Sequence, residues 1–197
     1  MATKVVPENA VLIPEMAKRV FHGEIFDIYQ WPQQLFDGTM ATFEMARRYD
    51  SAEALCIIDD KLIVLDDLQP NRGSRLTFPG GRQSNFSESA LDTIKREVSE
   101  ETGFTFNNWR LIDVAQPFGK IEWSHSLFVA WDGKRVADPS LDAGEKIAVK
   151  QFDFNEVQKL VLNDIGKLGY TRNFFKQADT IQDILALPEF VGKEIER

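Results

Sequence analysis

The chain has 197 residues, with 23 Lys plus Arg against 31 Asp plus Glu and a net charge of −8. That length suits one ample core with a small extension, not two full domains. An acidic chain without a basic run argues against a nucleic-acid backbone partner and against an anionic membrane surface. A single cysteine, Cys56, sits in the apolar run 54–58. It excludes an intramolecular disulfide, reads as a buried strand residue and points to a reducing, cytoplasmic compartment. No stretch has the length of a membrane span. Residues 1–18 include Glu8 and Glu15 and do not read as a signal peptide.

Taken in order, residues 1–19 read as an irregular leader. Residues 20–31 are aromatic and β-branched and predict a strand. Pro32 interrupts it, and Phe36-Asp37-Gly38-Thr39 predicts a hairpin turn into a second strand, 40–48. These two strands form a β-arm, so the chain divides into an arm over 1–50 and a main domain over 51–197. Within the domain, 55–58 and 62–65 are short strands around an Asp59-Asp60 turn. A loop over 69–74 leads through Leu76-Thr77-Phe78 to a Pro-Gly-Gly turn. Beyond the following helix, strands are predicted at 109–114, 121–131 and 147–154, with turns at Pro117-Phe118-Gly119 and Asp132-Gly133. Residues 138–144 form a polar loop. Helices close the chain at 155–162 and 179–187, the latter ended by Pro188. The pattern is a mixed sheet with helices on both faces, an α/β (α+β) architecture.

The helix after the glycine turn carries the chemistry. Ser89 is its expected N-cap, with Asp92 three residues on, and Gly103 its left-handed stop. Leu91, Ile94 and Val98 make one buried stripe. At roughly 100° per residue, Glu97 and Glu101 lie about 40° apart, with Glu100 about 60° to the other side of Glu97. Three carboxylates thus share one side of one helix, two of them near its negative end. A hard divalent cation with oxygen ligands offsets both costs, and adjacent glycines let backbone atoms approach it. The combination points to metal-assisted chemistry on a phosphate substrate.

The segment 78–104 (FPGGRQSNFSESALDTIKREVSEETGF) resembles the Nudix box, G-x5-E-x7-R-E-U-x-E-E-x-G-U. Glu88, Arg96-Glu97, Val98, Glu100-Glu101 and Gly103 fall at the box spacings, and Phe104 replaces the last aliphatic. Six residues, not five, separate Gly81 from Glu88, so the loop is one residue longer. The resemblance implies an α/β/α sandwich with a mixed sheet. It implies Mg²⁺, or alternatively Mn²⁺, held by Glu97, Glu100 and Glu101 with the backbone carbonyl of Gly80. Gly81, Glu88, Arg96 and Gly103 are then structural, with Glu88 and Arg96 tying loop to helix. The family hydrolyses nucleoside diphosphates linked to a further moiety.

More weakly, the arm and the Gln-Pro loop resemble the ADP-ribose and nucleotide-sugar pyrophosphatase branch. That implies a homodimer exchanging its arms and a small nucleotide substrate. Phe26, Tyr29 and Trp31 are then candidates to stack on the base, or equally strand core. Glu145 is the expected catalytic base, with Asp142 the runner-up. Glu122 is a further acid near the expected site, on a strand face open to solvent. Arg72, Arg75 and Arg82 flank the glycine turn and suit diphosphate oxygens. His22 and His125 receive no role. Two rivals remain: another nucleotide substrate on the same scaffold, such as a dinucleoside polyphosphate or nucleoside triphosphate, and a non-hydrolysing nucleotide-sugar sensor.

Overall fold

A computed structural model describes residues 3–70, 73–141, 144, 146–163 and 167–196. In chain order the strands of the N-terminal part are β1 (Thr3–Val6), β2 (Lys18–His22), β3 (Asp27–Gln34) and β4 (Met40–Arg47). Then come β5 (Ser51–Ile58), β6 (Lys61–Gln69), β7 (Gly73–Thr77) and β8 (Gly80–Arg82), followed by helix α1 (Ala90–Thr102). Strands β9 (Phe104–Ala115), β10 (Ile121–Glu122), β11 (His125–Arg135) and β12 (Lys146–Phe152) follow it. Helix α2 (Phe154–Asn163), a 3₁₀ turn (Lys167–Thr171), α3 (Arg172–Gln177), α4 (Ile181–Leu185) and β13 (Lys193–Glu196) complete the chain.

The central sheet runs β12-β6-β5-β11-β9, with β7 added to β6 and β8 to β5. Strand β11 is parallel to β5 and the other neighbours are antiparallel, so the sheet is mixed. Its two faces follow from strand alternation. Ala52, Ala54, Cys56 and Ile58 of β5 face α1, where Ile94 and Val98 meet them. Leu55 and Ile57 face the opposite way, toward Val157 and Val161 of α2 and Phe175, Ile181 and Ile184 beyond. The result is the expected sandwich of α1, sheet and C-terminal helices. Asp59 and Asp60 both have positive φ, 48° and 58°, as a two-residue hairpin requires.

A second sheet, β10-β4-β3-β2, forms the arm, with a small core of Ile13, Trp31 and Met45. The predicted single strand at 20–31 is two strands, turning back through 23–26. Pro32 does not end β3. Strand β2 pairs only as far as Gln30, so the missing N–H at Pro32 falls beyond the end of that neighbour. The predicted strand at 121–131 is split as well. Strand β10 joins β4 of the arm, while β11 joins β5 of the domain. Two segments thus cross from arm to domain side by side. Asp50 ties them, accepting the Ser124 N–H at 2.7 Å.

Residues 3–6 are not irregular. They pair with β13, bringing the two ends of the chain together. Asp132-Gly133 kinks β11 without ending it, since Gly133 still pairs with Phe106. A Cβ there would stand 2.5 Å from the Phe106 ring.

Candidate active site

Helix α1 begins and ends where its residues dictate. Ser89 Oγ accepts the Asp92 N–H at 3.0 Å, and Asp92 Oδ2 accepts in turn from Ser89 Oγ at 2.7 Å. At the far end Gly103 is left-handed, φ 72°, and its N–H reaches Ser99 O. The Glu100 carbonyl in the last turn accepts from the Ser140 N–H at 2.8 Å, so a second orphan group is satisfied. No basic residue stands in that turn.

Two acids of α1, Glu97 and Glu101, lie against the glycine turn. Glu101 Oε2 accepts the Gly80 N–H at 2.7 Å. The Glu97 carboxylate occupies the space where a side chain at Gly81 would go, and a Cβ there would meet its Cδ at 2.4 Å. Gly80 has φ 153°, and its Cβ would strike Ala52 O at 2.2 Å. Gly80 is therefore required by its conformation and by the neighbouring backbone, while Gly81 lets the acid come close.

Arg96 binds loop and helix together. Its Nε donates to Glu88 Oε1 at 3.0 Å and its Nη2 to Arg82 O at 2.9 Å. Nη1 donates both to Glu97 Oε1 at 2.9 Å and to Glu100 Oε2 at 3.0 Å. Burial works against the guanidinium charge, but the three carboxylates outweigh it and raise the Arg96 pKa. The longer loop closes on itself. Ser84 N–H donates to Glu88 Oε2, Ser87 N–H to Asn85 Oδ1, and Gln83 bridges the Glu88 carbonyl and the Asp50 N–H.

Among the described residues no three His, Cys, Asp or Glu side chains converge closely enough to hold a metal ion. Arg96, not a convergence of ligands, offsets Glu97 and Glu100 here. The donor set still fits a hard divalent cation: the acids are all oxygen donors, and Gly81 lets the Glu97 carboxylate lie directly against the turn.

Next to the turn, an open pocket of about 390 Å³ lies between arm and domain. Arg19, Arg47, Arg48, Tyr49, Arg82 and Phe86 line it. Arg19 is paired with Asp27 at 3.2 Å and Arg47 with Glu122 at 3.5 Å. Among the described residues neither Arg48 nor Arg82 has a carboxylate within ion-pair distance. Burial lowers the Arg48 pKa, and the neighbouring charge of Arg82 lowers it further, against the pull of Asp50. Guanidiniums of this kind suit the oxygens of a phosphate group. Phe86, on the lengthened loop, packs on Tyr49 with ring centroids 4.4 Å apart and carries the Arg47 guanidinium at 4.2 Å.

The other sequence-derived residues are scattered. Phe26 is at the pocket's edge, 5.8 Å under Arg48 and partly exposed. Tyr29 packs on the arm core, and Trp31 is within it at 8% exposure, beside Phe43. Trp31 is therefore strand core within this chain. Arg75 lies on β7, 4.0 Å from Asp67, away from the pocket lining. Arg72, Asp142 and Glu145 lie outside the described residues. Glu122 does not face solvent: it is 2% exposed and accepts the Ile13 N–H at 2.6 Å, joining arm to domain. Sequence reasoning missed Arg19, Arg47, Arg48, Tyr49 and Phe86. The adjacent arginines ending the arm were the one signal that could have pointed there.

Residues 48–174 match the NUDIX domain family. The chain belongs to the NUDIX family. The match spans the glycine turn, α1 and the arginines that line the domain side of the pocket. Among solved structures, this NUDIX chain is similar to the crystal structure of an ADP compounds hydrolase. The TM-score is 0.64 at 17% identity, covering 90% of this chain and 96% of that one, a likeness of fold. No curated protein sequence matches the chain. The NUDIX protein is a pyrophosphohydrolase, of a family that acts on small nucleotide substrates and generally uses divalent cations. Among the described residues no helix is long and apolar enough to cross a membrane.

Proposed function

We propose that this protein hydrolyses the diphosphate linkage of ADP-ribose or a related nucleotide sugar in the presence of Mg²⁺, with Mn²⁺ as the alternative. The products are a nucleoside monophosphate and a sugar phosphate. One observation carries this reading: Glu97 and Glu101 of α1 stand against a glycine turn, with Glu100 tied to Glu97 through Arg96, and the turn's next residue, Arg82, lines an arginine-rich pocket. The similarity to an ADP compounds hydrolase supports the substrate class.

In this reading Glu97, Glu100 and Glu101 hold the cation, with the Gly80 carbonyl as a further oxygen. When bound, the cation polarises the phosphoryl oxygens and neutralises developing charge. Arg82 and Arg48 take the diphosphate oxygens, with Arg72 as a further cationic contact. Arg96 holds Glu97 and Glu100 in place until the site is filled. Water attacks one phosphorus, the P–O–P bridge breaks, and the water's proton passes to a carboxylate, for which Glu145 is the candidate. Phe26 and Tyr29 offer ring faces to the base. Trp31 serves the arm's packing.

The arm, residues 1–50, is proposed as the contact between two copies, and residues 51–197 as the catalytic domain. Strand β2 is exposed along its whole length and shows Val20 and Phe21 to solvent. An exposed apolar edge strand of this kind suits pairing with a second chain.

The test is phosphate-product release from a panel of ADP-ribose, ADP-glucose, GDP-mannose, NADH, a diadenosine polyphosphate and nucleoside triphosphates, with Mg²⁺ and with Mn²⁺. Turnover of ADP-ribose or a nucleotide sugar, lost on chelation, supports the reading. Turnover of a triphosphate alone overturns the substrate class. Tight binding of one compound without turnover of any overturns the hydrolysis.

A further inference from the structure

A line of polar side chains crosses the central sheet without a part in the site described so far. Trp123 Nε1 donates to Ser51 Oγ at 3.1 Å. Ser51 Oγ lies 3.0 Å from His125 Nδ1, and His125 Nε2 lies 3.3 Å from Glu53 Oε2. Glu53 is 5% exposed and His125 is largely covered, with the Tyr170 ring 5.5 Å from the imidazole.

The groups form one connected line. A carboxylate oxygen accepts, so the Glu53 contact places a hydrogen on His125 Nε2. Ser51 Oγ joins His125 Nδ1 to the Trp123 N–H, which it accepts.

The two ends of this line are the two halves of the site. At one end, Glu53 pairs in register with Gly80, whose N–H holds Glu101. At the other, the Trp123 ring carries the Arg48 guanidinium 5.0 Å from its centroid, a cation–π distance. Arg48 Nε is buried and has no hydrogen-bond partner among the described residues. Two ring faces, Trp123 and the more distant Phe26, lie against the Arg48 guanidinium.

We propose that Trp123, Ser51, His125 and Glu53 are positioning residues that hold Arg48 toward the substrate's diphosphate. This rests on the reading of the arginine pocket given above. Trp123 supplies the shelf, Ser51 fixes its rotation, and the His125–Glu53 pair fixes Ser51.

Steady-state kinetics on full-length protein with ADP-ribose test it. Trp123→Phe keeps a ring and removes the N–H, and Ser51→Ala removes the acceptor. Each should raise KM by about fivefold, the worth of one hydrogen bond, with kcat within about twofold. In an Arg48→Ala background both effects should vanish, because the residues act through Arg48. An unchanged KM for Trp123→Phe and Ser51→Ala, with Arg48→Ala impaired, overturns the positioning role and leaves the pocket standing. A wild-type KM for Arg48→Ala overturns the diphosphate pocket itself. Independently of any variant, ¹⁵N NMR of the wild-type imidazole should show a hydrogen on His125 Nε2. An Nε2 without a hydrogen would overturn the His125–Glu53 link.

Discussion

Arg96 joins three glutamates through one guanidinium, and the consequences can be read residue by residue. Truncation to Ala would leave Glu88, Glu97 and Glu100 without their common partner. Arg96→Ala should therefore lose about 3 kcal/mol or more of stability in urea titration, in the range for breaking a largely covered charged network. Glu88 adds a pH dependence. Burial pushes its pKa up, but Arg96 and the Ser84 amide outweigh this and hold it below the ordinary value of 4.5. A carboxylate depressed in this way contributes stability that is complete above its unfolded pKa and lost as pH falls through the folded one. Glu88→Gln should lower Tm at pH 7, and the gap to wild type should close as pH falls below about 4.5. A gap that widens in acid would contradict the ion-pair role. Gly81→Ala places a methyl into the Glu97 carboxylate. It should cut turnover more than about tenfold while costing stability only modestly, since the far end of Glu97 can swing aside. Wild-type turnover would show that the closeness of Glu97 to the turn has no catalytic value.

Among the elements, α1 was fully legible in the sequence, because everything that defines it is local. Its cap, its stop and its apolar stripe lie within fifteen residues, and Ser89, Gly103, Ile94 and Val98 all take their expected places. The strands β5 and β6 were legible for the same reason, with their turn at Asp59-Asp60. Strand β1 was not, since its partner lies at the other end of the chain and four residues carry no period to detect. The split between β10 and β11 was hidden too. Residues 121–131 alternate like one strand, and only the arm's presence draws the first two residues away. The same nonlocality hid the arginine pocket, whose residues come from β2, the end of β4 and the loop before α1. The terminal pairing predicts its own test. Deleting residues 1–6 removes β1, the buried Val6 and the Lys4–Asp50 ion pair. Tm should fall by several degrees in calorimetry, and amides of residues 193–196 should lose protection from exchange. An unchanged Tm would show that the strand pair contributes nothing to stability.

At the scale of the whole molecule, a net charge of −8 coexists with a pocket lined by Arg19, Arg47, Arg48 and Arg82. In the proposed reading the acids of α1 take the cation and Arg48 and Arg82 the diphosphate. The exposed edge strand of the arm is the proposed contact between two chains. Phe21, 58% exposed on β2, is the residue to change. Wild type should run as a dimer in light scattering at micromolar concentration, and Phe21→Glu should run as a monomer. A wild-type monomer, or a dimer unaffected by that change, would contradict the arm as the contact. The central claim, cation-assisted hydrolysis at the acids of α1, is tested most directly by ADP-ribose turnover with Mg²⁺ in wild type and in Glu101→Gln. The amide can still accept the Gly80 N–H, so the fold should be retained. Turnover should fall about a hundredfold or more and should be abolished in wild type by a chelator. Equal rates in the two proteins, or a wild-type rate indifferent to chelation, would contradict it.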